Sequence, residues 1–146
     1  KFVVSLDKPD LKETYHAIGV TYAISKNEIA SKLVASYIFE PDVAHITEDL
    51  MATTIDKDDY DIQEYKVTAG NPYLNHDYLQ SFIDLKKTYD CVMIGISKYN
   101  SGNRELLKNP TEGVNIEQND YLIIMSNGNT KKMIEASFGI KEGRSD

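Results

Sequence analysis

The spacing of apolar residues along the chain changes several times within the first 25 residues. Residues 1–6 are rich in β-branched side chains in loose alternation, which predicts a short strand. Asp7 and Pro9 predict the cap and first turn of a helix, and Gly19 predicts its end. Val20–Ile24 predicts a second short strand. Because strand, helix and strand follow so closely, we expect one βαβ unit of a parallel sheet.

The next segment predicts two apolar-faced helices separated by a proline. Ser25 and Glu28 match a capping box, in which the hydroxyl and the carboxylate each bond an unpaired backbone N–H. Pro41 ends the first helix and suits the first turn of the second. We predict that the shared apolar face is a symmetric dimer contact; the alternative is an intrachain cap over the first sheet. The predicted contact residues are Ile29, Leu33, Tyr37, Val43, Leu50 and Met51.

An acidic segment without an apolar period, Ala52–Tyr60, predicts a linker. Beyond it, short apolar strands alternate with turn signals such as Asn127-Gly128. The chain is therefore divided into residues 1–51, a linker over 52–60 and a small α+β lobe over 61–146. The strands predicted in this lobe are Asp61–Val67, Cys91–Ser97, Glu105–Leu107 and Tyr121–Met125.

Two helices are predicted in the same lobe, over Asp77–Lys87 and Asn129–Phe138. Each has an apolar stripe that we expect to face the core. The inward residues predicted for the two helices are Leu79, Phe82, Ile83 and Leu85, and Met133, Ile134 and Phe138.

The charge of the chain limits its partners. A formal net charge of −7 disfavours binding to nucleic acid or to an anionic membrane surface. No apolar run approaches the roughly 20 residues that span a bilayer, so we expect no direct membrane insertion. The single cysteine, Cys91, excludes an internal disulfide, fits a reducing compartment and is predicted to be buried in a strand. Because the chain begins at Lys1 on a strand-like segment, we expect it to be a piece of a longer protein.

Motifs typical of enzymes are missing from the sequence. There is no GxSxG, no P-loop and no recognisable Cys–His motif, so we predict no catalytic residues and no enzyme activity. The three histidines have no metal-ligand spacing. His45 lies near Glu48 and Asp49, where a proton sensor is the alternative to an ordinary surface histidine.

Five features of the second half occur in a characteristic order: GNPYL at residues 70–74, the strand CVMIGISK at 91–98, Asn109-Pro110, Asn119-Asp120 and YLII at 121–124. This order resembles the C-terminal lobe of the domain that regulates potassium conductance (RCK), also called the TrkA C-terminal domain. In that family a Gly-Asp turn leads into the final strand. Asn119 stands at the glycine position here, and asparagine also tolerates left-handed turn geometry.

The first half resembles the end of the same family's N-terminal, Rossmann-like lobe. There a strand ending in an Ile-Ser type dipeptide, here Ile24-Ser25, leads into a crossover helix and a second helix that form the intersubunit grip. The implied fold is α/β plus α+β: the end of a Rossmann-like parallel sheet, a helix-turn-helix crossover and a small TrkA-C lobe. No GxGxxG occurs, so the resemblance implies a bound nucleotide only for a longer parent chain.

The resemblance implies a cytoplasmic, ligand-sensing regulatory domain of a prokaryotic potassium channel or potassium uptake system, located at the cytoplasmic face of the cell membrane. The implied partners are a second copy, a larger ring, and a potassium pore on the same chain or on a separate subunit. One alternative is a sensor lobe attached to a different ion transporter or to a transcription regulator. Another is a fragment of a nucleotide-dependent dehydrogenase, for which the sequence offers no catalytic set.

Nine carboxylates lie between Glu40 and Glu64, with Lys57 as the one lysine or arginine among them. Such oxygen-rich segments suit calcium, but an EF-hand loop is excluded because Val67 stands where its bidentate glutamate is needed. The resemblance adds that some relatives are gated by divalent cations at acidic residues near the lobe junction; the alternative is a solvated acidic linker. The candidate ligands of calcium or another divalent cation are Glu40, Asp42, Glu48 and Asp49.

Overall fold

A computed structural model describes residues 1–51 and 57–144. The chain forms two compact units, Lys1–Glu48 and Asp49–Asp146. Residues 52–56 of the predicted linker lie outside the described residues. The two units differ in how completely they bury their apolar side chains.

The first unit begins with the βαβ arrangement that the sequence predicts. Strand β1 (Val3–Leu6) pairs in parallel with β2 (Tyr22–Ser25), and a 3-10 turn followed by helix α1 (Lys12–Ala17) connects them. Gly19 has φ +91°, so the expected left-handed residue does end this connection. The predicted cap at Asp7 is wrong.

Lys8 stands at the N-cap position of the turn, and no side chain caps it. The backbone carbonyl of Asp7 instead accepts a hydrogen bond from the Asn27 side-chain amide at 2.8 Å. Asp7 therefore does not cap the turn before α1; its backbone carbonyl instead links the β1–α1 connection to Asn27, in the first turn of the following helix.

Helices α2 (Lys26–Phe39) and α3 (Pro41–Met51) follow, with Glu40 between them. The capping box is half confirmed, since the Ser25 hydroxyl accepts from the Glu28 N–H at 3.4 Å. The Glu28 carboxylate does not complete the box, because it accepts hydrogen bonds from lysines on α1 and α2. The first of these, from Lys12, contributes most to holding the pKa of Glu28 below its usual value.

The second unit is an antiparallel sheet of four strands with two helices. The strand order across the sheet is β3-β6-β4-β5, so the last strand in the chain lies inside the sheet. The elements are β3 (Tyr60–Lys66), α4 (Tyr78–Tyr89), β4 (Val92–Asn100), β5 (Asn103–Lys108), β6 (Tyr121–Asn127) and α5 (Gly128–Phe138).

One face of this sheet and both helices enclose a continuous apolar core. Tyr65 of β3 meets Phe138 of α5 edge to face, with 5.7 Å between ring centroids. Leu85 and Ile134, both predicted to face inward, are fully buried. Ile83 and Met133 were also predicted to face inward, but they lie at the protein surface.

The close packing of β4 against β5 depends on Gly95. The register of β4 on β6 shifts between Met93 and Gly95, which marks an irregularity of the bulge type. A Cβ at position 95 would lie 2.8 Å from the backbone carbonyl oxygen of Leu107. Backbone atoms of a paired strand cannot retreat as a flexible side chain can, so this position requires glycine.

We therefore expect Gly95→Ala to lower the free energy of unfolding by about 1–3 kcal/mol, as overpacking does. Urea denaturation of both proteins measures the difference. Gly70→Ala is the matched control, since a Cβ there meets nothing within 4 Å. Equal stabilities of the two variants would show that the strand pair adapts to the methyl group.

Candidate functional site

Helices α2 and α3 expose a large set of apolar side chains. In these two helices, which lie entirely within the described residues, Ala44 is the only buried residue. The exposed fraction reaches 69% at Ile38 and 81% at Phe39. We call the following set in the first unit the α2–α3 surface: Ile29, Val34, Ile38, Phe39, Val43 and Ile46.

The turn between the two helices is short and hydrogen-bonded on both sides. The Glu40 N–H donates to the Ser36 carbonyl at 2.7 Å, which closes the last turn of α2. The Glu40 carbonyl accepts from the Ala44 N–H at 3.1 Å, which opens α3. Pro41 needs no N–H partner at the first position of a helix, so the chain changes direction within one residue.

Tyr37 holds the two helices together. Its ring meets the His45 ring edge to face at 5.2 Å between centroids, and its hydroxyl donates to the Glu48 carboxylate. Tyr37 was predicted to contact a second copy, but these contacts lie within one chain. His45 therefore has an aromatic and an acidic side chain beside it, and its role as a proton sensor stays a prediction.

The six residues predicted for a dimer contact divide into two groups in the structure. Ile29, Val43 and Met51 are exposed, whereas Leu33, Tyr37 and Leu50 are half-buried. Met51 lies in the last turn of α3, beyond the end of the first unit. The dimer contact itself stays a prediction, because a single chain cannot show it.

Sequence analysis did not name four members of the α2–α3 surface as contact residues. These are Val34, Ile38, Phe39 and Ile46. For Ile38 and Phe39 a signal was available, since apolar residues occupy consecutive positions from Tyr37 to Phe39, just before the proline. Three consecutive apolar residues cannot all face one helical stripe.

The predicted cation ligands are located on or beside α3. Glu48 accepts the Tyr37 hydroxyl, while Glu40, Asp42 and Asp49 are exposed. Within residues 1–51 and 57–144, no group of three or more His, Cys, Asp or Glu side chains is placed to hold a metal ion. The divalent-cation site stays a prediction.

The Asn119-Asp120 turn of the second unit carries a buried charge. Asn119 has φ +72°, which confirms the left-handed geometry expected at this position. The Asp120 carboxylate is fully buried and accepts from Lys98 Nζ at 2.6 Å. It also accepts from the backbone N–H groups of Tyr99 and Glu117 at 2.9 and 2.8 Å. This one carboxylate ties β4 to the turn before β6.

Lys98 remains charged in this environment. Burial lowers its pKa, but the hydrogen bonds to Asp120 and Glu117 outweigh burial, and the pKa is raised. The stabilisation from a raised lysine pKa is present at neutral pH and is lost as the pH rises through that value. The pair therefore contributes fully at neutral pH.

Asp120→Asn should lower the free energy of unfolding by about 3–5 kcal/mol, because it leaves the Lys98 charge without its buried partner. Chemical denaturation at neutral pH provides the measurement. Asp90→Asn is the matched control: its pair with Lys86 is exposed and should contribute less than about 1 kcal/mol. A loss for Asp120→Asn as small as that of the control would contradict the structural role of the buried pair.

Cys91 is buried, as predicted, although it lies just before β4 rather than within it. Burial raises the pKa of its thiol to about 11. At neutral pH the thiolate is scarce, so this residue is a packing element rather than a nucleophile.

No model of a known protein family matches the chain, and no curated protein sequence matches it. Several solved structures, by contrast, are similar to it. The human SLO3 gating ring superposes with a TM-score of 0.70 over 94% of this chain, at 13% identity, and 27% of that chain is covered. This superposition includes most of both units.

The chain has the fold of an RCK domain. The fold class is confirmed: a small parallel sheet, two helices and an antiparallel α+β unit. At such low identity the similarity shows the fold alone, and this RCK-fold chain spans about a quarter of the gating-ring chain that it matches.

Two further solved structures are similar with lower scores. One is the RCK C domain of the potassium transport protein KtrA in complex with cyclic diadenosine monophosphate, at TM-score 0.44 and 20% identity, covering 70% of this chain and 96% of that one. The other is S. agalactiae BusR with its busAB-promotor DNA, at TM-score 0.44 and 15% identity, covering 79% and 55%.

In the part of this RCK-fold chain that the structure describes, none of the helices has both the length and the apolar character needed to cross a bilayer.

Proposed function

We propose that this chain is a ligand-sensing regulatory domain of a prokaryotic potassium channel or potassium uptake system. The observation that carries the proposal is the exposed α2–α3 surface in a chain with the RCK fold. The proposed location is the cytoplasmic face of the cell membrane. The proposed partners are further copies of the same domain, in a dimer or larger ring, and a potassium pore on the same or another chain.

The α2–α3 surface is better suited to a protein partner than to water. Six large apolar side chains are exposed there on two consecutive helices. A single exposed apolar residue is ordinary on a protein surface, whereas a concentration of them marks an interaction site. Covering apolar area stabilises a complex by about 25 cal/mol per Å² before the costs of association.

A second copy is the proposed occupant of this surface. A two-fold axis brings the same patch of each copy together, so α2 and α3 of one chain face α2 and α3 of its partner. The Tyr37–His45–Glu48 contacts support this arrangement, because they hold α2 and α3 as one preformed element. A preformed surface loses less conformational entropy when it binds.

The proposed mechanism is a shift between conformations of the assembled domains. A ligand that binds one arrangement more tightly than another increases the population of that arrangement. Coupling energies between two sites are typically about 1–3 kcal/mol, so several domains acting together would bias a pore more strongly than one. The α2–α3 surface would transmit the change between copies, and the second unit would bind the ligand.

We expect Val43→Asp and Leu33→Asp to convert a dimer to a monomer, because each places a charge in the apolar contact. Light scattering coupled to size-exclusion chromatography, at several protein concentrations, measures the mass. Ser31→Asp is the matched control, since it adds the same charge at an exposed polar position of α2. Val43 is itself exposed, so its variant should fold normally.

A wild-type chain that is monomeric at every concentration would contradict the dimer contact. So would variants that dimerise as well as Ser31→Asp.

The sensing role predicts that a ligand stabilises the folded chain. A ligand that binds only the folded state raises the melting temperature, and at 100 times its Kd it adds about 2.7 kcal/mol. Thermal unfolding with calcium chloride, with cyclic diadenosine monophosphate and with ATP is the measurement, and sodium chloride at equal ionic strength controls for salt. We expect at least one of the three to raise the melting temperature. No shift with any of them would contradict sensing of these ligands by this chain.

A further inference from the structure

The second unit contains a cavity beside α4 that the α2–α3 surface does not involve. Its volume is about 450 Å³, which is in the range of small-molecule sites. The cavity is formed by one side of α4 and by the turn that precedes this helix. The side chains of its wall include those of Tyr73, His76, Gln80, Asp84 and Tyr89.

Aromatic side chains form much of this wall, and contacts hold them in place. The Tyr73 ring meets His76 at 6.2 Å and Phe138 at 5.9 Å between centroids, edge to face in both cases. The Tyr89 hydroxyl donates to the Ser137 hydroxyl at 2.9 Å. Tyr73 is itself almost fully buried, so the accessible ring surface in this wall is that of the exposed His76 and the half-buried Tyr89. Rings that are already ordered bind a ligand with little loss of entropy.

One carboxylate, that of the exposed Asp84, also lines the cavity. It accepts a hydrogen bond from the Tyr73 hydroxyl at 2.7 Å. Burial, and then the bond to Asp84, raise the pKa of Tyr73, so the phenol remains a neutral donor at physiological pH. The hydroxyl therefore positions the carboxylate without neutralising it.

No positive charge of the described residues compensates Asp84. No lysine or arginine lines the cavity, and among residues 1–51 and 57–144 Asp84 forms no ion pair. The chain as a whole carries a net charge of −7. An unpaired carboxylate in a wall without lysine or arginine favours a cation over phosphates and carboxylates.

We propose that this cavity binds a small organic ammonium cation. Aromatic faces attract ammonium groups through their quadrupole, and a nearby carboxylate adds a direct charge interaction. A calcium or magnesium ion would require about six or more oxygen ligands, whereas the wall supplies one carboxylate. An organic cation needs no such set of ligands, because its charge is spread over methyl or methylene groups that pack against rings.

This inference goes beyond the proposed function, since it adds to the second unit a site for a ligand class other than calcium and nucleotides. Its failure can be distinguished from failure of the proposed function. Light scattering on the Val43→Asp variant tests assembly, while binding at Asp84 needs neither a dimer nor a pore.

The experiment is an NMR titration of the 146-residue chain with tetramethylammonium chloride, with sodium chloride at equal ionic strength as the reference. We expect saturable shifts of backbone amide signals around the cavity, at His76, Gln80 and Asp84. tert-Butyl alcohol has a similar size and no charge, so it should bind more weakly than the cation.

Asp84→Asn should weaken tetramethylammonium binding about fivefold, the effect of losing a partly exposed ion pair. Asp59→Asn removes an exposed carboxylate away from the cavity and should leave binding unchanged. Tyr73→Phe keeps the ring but loses the hydroxyl that positions Asp84, so a smaller weakening is expected. The dispersion of the amide spectrum shows that each variant is folded.

Three results would each overturn the proposal. The first is no saturable shift below about 100 mM, the weak limit of a specific site. The second is equal binding of the cation and tert-butyl alcohol, which would indicate an apolar cavity without charge recognition. The third is equal binding by Asp84→Asn and Asp59→Asn.

Discussion

The apolar side chains that the first unit leaves in water are the constraint on which the rest of the structure depends. Two short parallel strands are too small a sheet to cover α2 and α3, and Ala44 is the only residue of these helices that becomes buried. Hydrophobic burial is the main driving force of both folding and association. A unit that cannot complete its own core is therefore stabilised by whatever covers the α2–α3 surface.

The second unit buries its apolar side chains within one chain. Its four-stranded sheet and two helices enclose their apolar side chains. Asp120 is the one fully buried carboxylate among the described residues, and it accepts hydrogen bonds from Lys98 and from two backbone N–H groups. The core and the buried charge of this unit are thus made by contacts within the unit itself. In the proposed regulatory role, the assembling surface and the folded scaffold of a ligand site would depend on different contacts. The cavity beside α4 lies in this stable scaffold, where Tyr73 and Asp84 are already positioned.

The two proposals together describe a domain whose assembly is driven by apolar area and whose ligand preference is set by charge. These forces respond differently to conditions. Salt screens an exposed carboxylate such as Asp84 within about 8–10 Å at physiological ionic strength. It does not weaken the apolar contacts that the exposed Ile38 and Phe39 would make in the proposed dimer. The assembled state can then persist while ligand occupancy follows the ionic environment.

The sequence alone determined the features that depend on a few neighbouring residues. The βαβ unit, the break at Pro41 and the left-handed Asn119 follow from local backbone preferences, and the structure contains all three. Ile83 and Met133 were predicted to face the core but are exposed, because the helical period reveals an apolar stripe without showing how wide its buried part is. The cavity and the buried Asp120 were decided by tertiary structure: Asp84 meets Tyr73 eleven positions away and Lys98 meets Asp120 across 22. Such pairs form only when strands and helices pack, since no local preference of either residue specifies its distant partner.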